Sequence, residues 1–488
     1  MKVKYKYLLF GCLFAVAGQS CTDLTENTYD VVPTDEFGGT AGQQAALIGP
    51  IYNNLGGYFD KYWQIDVSTD EAVIPTRGGD WGDGGKWVRM HEHKWETNED
   101  LFNNIWKMCY ESITAINSQL GAQTDPGLIA ELKALRAFYH YIAMDHFGNV
   151  IIADQLGGTT PTQKTSKEMY AWIESELLAV YPNLSETAGG AYYGRMNKYV
   201  VDMILAKLYL NAEVYTGTPQ WQKAITYSDH IIASKKYSLA ADFFSVFSIT
   251  NQKSPEIILA TPFDKDKRTG FEIQRYTLNY LNQLTYSLSQ STYNGVATTA
   301  SFYRSFADGD LRKNMWLVGQ QYTAAGEAIN DQGVPFAYTI DIPALVMPAG
   351  VVARNAGVRS VKYEIQKNNP SGSQDNDFVV FRLGDVYLMR AEANYRLGKM
   401  AAALEDVNVI RTRAGVPNFT TLTDDILLAE RGREMAWEYH RRQDLIRFKQ
   451  FTKAWDFKSV TPATRTLFPI PAVQIGLNPN LKQNPGYN

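Results

Sequence analysis

Two stretches of this chain, far apart in sequence, repeat one grammar, and that grammar narrows the folds open to it. Residues 206–217, AKLYLNAEVYTG, lead into WQKAITYSDHII, and residues 391–398, AEANYRLG, lead into MAAALEDVNVI. In each, alanines and a tyrosine precede a glycine, and a second segment with an alanine-rich apolar face follows. Helical spacing on both sides of a glycine stop predicts two helices folded back on one another. Small side chains on the facing sides let the two backbones approach closely.

This arrangement resembles the tetratricopeptide unit. The units are separated and degenerate, which predicts a helical scaffold and not a long regular solenoid. Other segments keep the same periodicity. Leu132, Leu135, Phe138, Tyr139 and Ile142 share one face of a helix that runs from about 127 to 147 and stops at Gly148. Further helices are expected at about 167–181, 197–215, 220–234, 382–397, 400–413 and 424–448. From about 256 to 380 the periodicity fades into Gly, Pro, Asn and short apolar runs such as EIILA, MWLVGQQY and AYTI, read as loops and short strands. A second irregular insert runs from Trp63 to Trp95. The fold class is therefore mainly α: a tetratricopeptide-like scaffold of helical pairs with irregular loops and a few short strands. Residues 39–250 form an N-terminal helical region carrying the loop 63–95, and residues 251–488 a C-terminal region carrying the insert 256–380 and the last helical pairs.

The N-terminus has a different task. Lys2, Lys4 and Lys6 precede an apolar run from Tyr7 to Ala17, then Gly18-Gln19-Ser20 directly before Cys21. A charged head, a short apolar core and small residues at a cleavage point describe an export signal over residues 1–20, too short to span a bilayer. Cleavage there would make Cys21 the first residue, with its thiol ready for acylation, as in a bacterial lipoprotein signal. Cys12 would leave with the peptide, and Cys21 and Cys109 alone make no disulfide framework. Residues 21–38 read as a solvated tether. From Thr22 to Asp60 there is no lysine or arginine, while Asp23, Glu26, Asp30, Asp35 and Glu36 are acidic. Acidic residues after a lipidated cysteine resemble the address of surface lipoproteins in Bacteroidetes-type bacteria.

Composition and motifs exclude several activities. The net charge is −4 with no basic cluster beyond the signal, so nucleic acid is not the expected partner. No GxSxG or GxxxxGK[ST] is present, and Cys109 lies on an amphipathic helix as a core thiol. Glu434 and Glu438 sit one turn apart in a run of alternating charge, the pattern of a salt-bridged structural helix and not of an acid/base pair. His91-Glu92-His93 lacks a third ligand, so no metal site is assigned. No catalytic residue and no cofactor are expected.

The loop Arg77-Gly-Gly-Asp-Trp-Gly-Asp-Gly-Gly-Lys86 is the strongest local candidate for binding. Glycines permit backbone shapes closed to other residues, and Trp81 has little apolar cover nearby in sequence. It either presents its face outward or folds back as a plug. Outward, it would stack on the C–H face of a sugar ring while Arg77, Asp80 and Asp83 bond the hydroxyls at its rim. Tyr293, before Asn294-Gly295, sits at a turn signal. Trp87 and Trp95 read as core or loop staples.

The segments ELKALRAFYHYIAMDHFGNV, AEANYRLGKMAAALEDVNVIRTRAG, ILLAERGREMAWEYHRRQDLIRF and LFPIPAVQIGLNPNLKQNPGYN resemble the SusD/RagB family of outer-membrane nutrient-binding lipoproteins. The insert TDEAVIPTRGGDWGDGGKWVRMHEHKWE resembles a loop of its starch-binding, SusD-like branch. The resemblance implies a surface-exposed protein, lipid-anchored to the cell outer membrane, that sits as a lid on a SusC-like TonB-dependent transporter. It captures oligosaccharides, or peptides in the RagB branch, without cutting them. It also implies an aromatic arc, for which Tyr276, Tyr280, Tyr286, Tyr293 and Trp316 are the available residues. The expected ligand set is Trp81, Arg77, Asp80, Asp83, Tyr293 and Trp316, with Cys21 lipidated. Two rivals are a secreted glycan hydrolase and a structural adaptor that binds proteins through concave helical faces.

Overall fold

In the computed structural model, strand Ile257–Thr261 pairs antiparallel with Phe378–Arg382. The long irregular insert therefore leaves the helical scaffold and returns to it at one place. This clamp lets the two repeated units meet: helix Trp221–Ser234 packs against both Lys198–Leu210 and Leu383–Arg396, and the latter packs on Met400–Arg413. Units separated in sequence are neighbours in space. The structure describes residues 41–158 and 160–487, with only the helical backbone described at 41–45 and 59–61. The signal 1–20, Cys21 and the tether 21–38 lie outside the described residues.

The chain forms two units, Met1–Gly49 and Pro50–Asn488. In the first, the described residues 41–49 are helical. They begin the helix Ala41–Asp66, within which Pro50 marks the start of the second unit. In the second unit Asp100–Leu120 packs on Pro126–Phe147, which packs on Ser166–Val180.

The shared grammar has a physical basis. Gly217 and Gly398 each follow a helix and take left-handed φ values of 76° and 75°, which glycine adopts without steric cost. Ala206, Ala212, Ala391 and Ala393 are fully buried, as are Ala224 and Ala403 on the returning helices. Cys109 is buried as well, and burial pushes its thiol pKa up.

Three readings of local structure change. The helix expected over 424–448 is two helices, Asp424–Met435 and Arg441–Arg447. Trp437 and Tyr439 between them have φ of 56° and 66°. The break is held by tertiary contacts: the Trp437 N–H donates to the Glu71 carboxyl group, and its ring meets Trp316 edge-on. The helix expected over 197–215 divides at Asn211, whose side-chain amide donates to the Lys207 carbonyl. The irregular insert from Trp63 to Trp95 contains the end of Ala41–Asp66 and a short helix, Lys86–His91.

The described strands are short and pair two by two. Trp316–Leu317 pairs with Arg359–Ser360, and Gly319–Gln320 with Ala337–Tyr338; all but Arg359–Ser360 fall in the apolar runs MWLVGQQY and AYTI. Among the described residues no helix is long and apolar enough to cross a membrane.

Candidate functional site

Thr76–Arg77 pairs in parallel with Val346–Met347, joining the early loop to the late insert. Val73 and Ala297 sit in a small core with Ile342, Met347, Ala353 and Ala356 directly below. This apolar base fixes where the loop Arg77–Lys86 emerges.

Arg77 is not at the rim. It is 3 % exposed, and its guanidinium donates to five carbonyls, those of Pro75, Asn294, Gly295, Ala353 and Ala356. A guanidinium buried this way is a cross-brace between loop and insert, not a reader of hydroxyls. Burial, and then the neighbouring Arg359, push its pKa down, and the carbonyl oxygens are what hold the charge there.

Trp81 combines the two arrangements considered for it. Its residue has φ of 57° and is half-buried. Its indole N–H donates to the Tyr293 carbonyl at 2.6 Å, across 212 residues of sequence. Gly295 lies against the ring so closely that a Cβ there would sit 2.4 Å from it. One edge is thus pinned while the residue as a whole stays partly open to solvent.

Behind Trp81 stands Trp63, buried near the end of its helix. Tyr276 stacks on it at 4.5 Å and Trp87 at 5.4 Å, with Trp81 edge-on at 6.1 Å. Tyr276 and Tyr293 are both half-buried, 5.6 Å apart between ring centres. The Arg275 guanidinium lies 4.5 Å from the Tyr293 ring centre and is held by Glu272 at 2.9 Å. The result is a rigid aromatic backing with three half-open rings, Trp81, Tyr276 and Tyr293.

Asp80 and Asp83 are exposed beside these rings, and each already braces the loop. Asp80 accepts from the Tyr280 hydroxyl at 2.5 Å, and Asp83 from the Trp87 indole N–H at 2.6 Å. Burial, and then Asp80, push the Tyr280 phenol up to about 12, so it stays a donor at neutral pH. A carboxylate can accept several bonds, so both retain acceptor capacity toward solvent.

Trp316 belongs to the core. It is 6 % exposed and meets Phe302, Phe306 and Trp437 edge-on, away from this cluster. Its apolar run is a strand whose tryptophan faces inward. Tyr286, at the end of helix Asn282–Tyr286, makes no ring contact with the cluster among the described residues. Trp63 escaped the sequence reading because nothing in its helix marked it as the ring on which others stack. Trp87 and Trp95 are buried staples, the second donating its indole N–H to the Tyr487 hydroxyl at 2.7 Å.

The remaining chemical groups are engaged elsewhere. Glu434 and Glu438 are buried in an ionic network. Arg382 donates to Glu434 at 2.7 Å and to Glu438 at 2.6 Å, Arg312 and Arg413 also pair with Glu434, and Lys362 pairs with Glu438. Burial alone would raise the Glu434 pKa, but Arg413, Arg382 and Arg312 outweigh it and hold the carboxyl well below the usual range. His91 bridges the carbonyls of Val67 and Asp456, and His93 bonds that of Ser68. Burial pushes His93 down to about 2, so the ring is neutral and fixed.

Paired helices carrying a looped-out aromatic cluster, sewn together by a buried arginine, define a helical scaffold protein with one well-backed surface platform. The SusD family model matches residues 353–487 of the chain. It is 26 % identical to the starch-binding protein SusD of Bacteroides thetaiotaomicron, over the whole of both chains. Among solved structures, a SusD superfamily protein from Parabacteroides distasonis has a TM-score of 0.75 at 21 % identity, covering 92 % of this chain and 100 % of that one. Surface glycan-binding protein A from Bacteroides thetaiotaomicron, in complex with laminarihexaose, has a TM-score of 0.73 at 19 % identity, covering 91 % and 99 %.

Proposed function

We propose that this chain is a non-catalytic glycan-binding protein of the bacterial surface, lipidated at Cys21 and held at the outer membrane by residues 21–38. It captures oligosaccharides and passes them to a SusC-like TonB-dependent transporter. The observation that carries the reading is the platform itself: Trp81, Tyr276 and Tyr293 half-open on a backing of Trp63 and Trp87, with Asp80 and Asp83 at its edge. Flat rings beside fixed acceptors suit a ligand with C–H faces and hydroxyl rims. A starch-binding relative and a fold neighbour with bound laminarihexaose support the choice of a glycan.

In place of the six residues read from sequence, the platform reading uses Trp81, Tyr276, Tyr293, Asp80 and Asp83, with Arg77 beneath it and Trp316 outside it. Isothermal titration across a panel of oligosaccharides, with Trp81→Ala beside wild type, tests it. Binding that needs Trp81 supports the reading. Equal affinity in the variant removes the site, and binding of peptides alone transfers the chain to the RagB type. Incorporation of labelled palmitate, lost in Cys21→Ser, tests the anchor.

A further inference from the structure

The helix Ala41–Asp66 also borders an open polar cleft of about 460 Å³, well within the size range of small-ligand sites. Its walls come from three parts of the fold: Asn53 and Asn54 on that helix, Asn104 on Asp100–Leu120, and Phe263 with Thr269 on the loop after strand Ile257–Thr261. The amides are oriented. Asn53 accepts from Arg268 through its side-chain oxygen at 2.9 Å, which leaves its NH₂ to donate. Asn54 donates to the Ser112 hydroxyl at 3.2 Å, which leaves its oxygen to accept. A donor beside an acceptor matches neighbouring hydroxyls, each of which is both.

Charge points the same way. Lys107 and Glu111 on the rim are paired with each other at 3.5 Å, so these two offer no net field to an anion or a cation. Phe263, half-buried, is propped edge-on by Phe271 at 5.6 Å and supplies an aromatic surface next to the amides. Gly56 keeps the floor low, because a Cβ there would meet the Arg268 guanidinium at 2.8 Å.

The cleft leads to the backing of the aromatic platform. Phe263 and Gly270 also line a narrow crevice with Trp63 and Glu272. Trp63 carries the stacked Tyr276, and Glu272 holds the arginine that covers Tyr293.

We infer that this cleft is a second sugar subsite, which takes a neutral pyranose unit further along the same chain that lies on Trp81. The inference rests on the glycan reading above. A ligand long enough to reach both places binds more tightly than one that covers the platform alone, because the second contact is intramolecular.

Titration of maltooligosaccharides and laminarioligosaccharides, from trisaccharide to heptasaccharide, tests it on wild type, on the double variant Asn54→Ala with Asn104→Ala, and on Asn104→Trp, which fills the cleft from an exposed helix position. Wild-type affinity is expected to rise with length. Both variants are expected to lose about tenfold for the heptasaccharide, or about 1.4 kcal/mol, and nothing for the trisaccharide. Length-independent affinity, or cleft variants that bind the heptasaccharide as wild type does, overturns the subsite and leaves the Trp81 platform standing. Wild-type protein that binds neither series, with Trp81→Ala equally silent, removes the parent reading and this inference together.

Discussion

The dry ionic network around Arg382 and the half-open cluster around Trp81 use the same kinds of side chain to opposite ends. Both contain non-glycine residues in left-handed backbone, Trp437 and Tyr439 in one, Trp81 and Asp83 in the other. Such conformations persist only where the surroundings over-determine them. In the network the surroundings close on every side: arginines, glutamates and a lysine pair with one another, and Trp437 is buried among rings. In the loop the support comes from an indole hydrogen bond, a glycine contact, the edge-on rings of Trp63, Trp87 and Tyr276, and the braces on Asp80 and Asp83. The difference teaches where a ligand can act. Charge matched on every side specifies a fold, whereas rings left half-open keep a face for another molecule.

The sharpest way to break this contrast is to unbalance the network. Glu434→Gln removes the negative partner of Arg382 and Arg413 inside a dry interior and is expected to cost about 3–5 kcal/mol. Thermal unfolding measures it. A change under 1 kcal/mol, about the size of a surface ion pair, would show that the network is not the anchor described.

A smaller effect is expected at the buried carboxyl pair Asp66 and Glu71, beneath the break at Trp437. Burial, the first cause, lifts Asp66 to about 7, against an ordinary value of 3.8. The unfolded carboxyl releases its proton near pH 4 and the buried one only near pH 7, so the folded state binds more protons in between. Stability therefore falls as pH rises through that window. Asp66→Asn is expected to flatten the profile and to gain on the order of 2 kcal/mol relative to wild type at pH 8. Denaturant unfolding at pH 4 and pH 8 checks this, and parallel profiles for the two proteins would refute it.

On the open side, Trp81→Ala is expected to weaken oligosaccharide binding at least tenfold, about 1.4 kcal/mol, with little change in melting temperature. Titration and calorimetry together separate the two. Gly295→Ala sharpens the point, because the added methyl must displace the indole. It should lower affinity about as much as removing the ring and shift the tryptophan fluorescence. The smallest effect is expected from Tyr280→Phe, which releases Asp80 from one hydrogen bond worth about 1 kcal/mol. Its affinity should fall by roughly threefold, read by the same titration.

Much of the scaffold was legible in the sequence, for a local reason. Alanines facing one another and a glycine after the helix are features of neighbouring residues, so both repeated pairs lie where the pattern placed them. The single helix expected over 424–448 failed for a non-local reason. Its local pattern favours a helix throughout, but the Trp437 backbone bonds Glu71, far away in sequence. Arg77 and Trp316 misled in the same way. A charged residue in a glycine-rich loop looks exposed until four distant carbonyls are brought to it, and a tryptophan in an apolar run gives no sign of which face it shows.

By itself, then, the chain determined a helical-pair scaffold, an interrupted middle and a loop able to carry a tryptophan, because periodicity and glycine placement act over a few residues. The tertiary structure alone decided that Tyr276 stacks on Trp63, that Tyr293 pins Trp81, and that Arg77 lies beneath them both. Those contacts join residues about two hundred positions apart. They exist because the strand pairs Ile257–Thr261 with Phe378–Arg382, and Thr76–Arg77 with Val346–Met347, bring the insert back over the early loop.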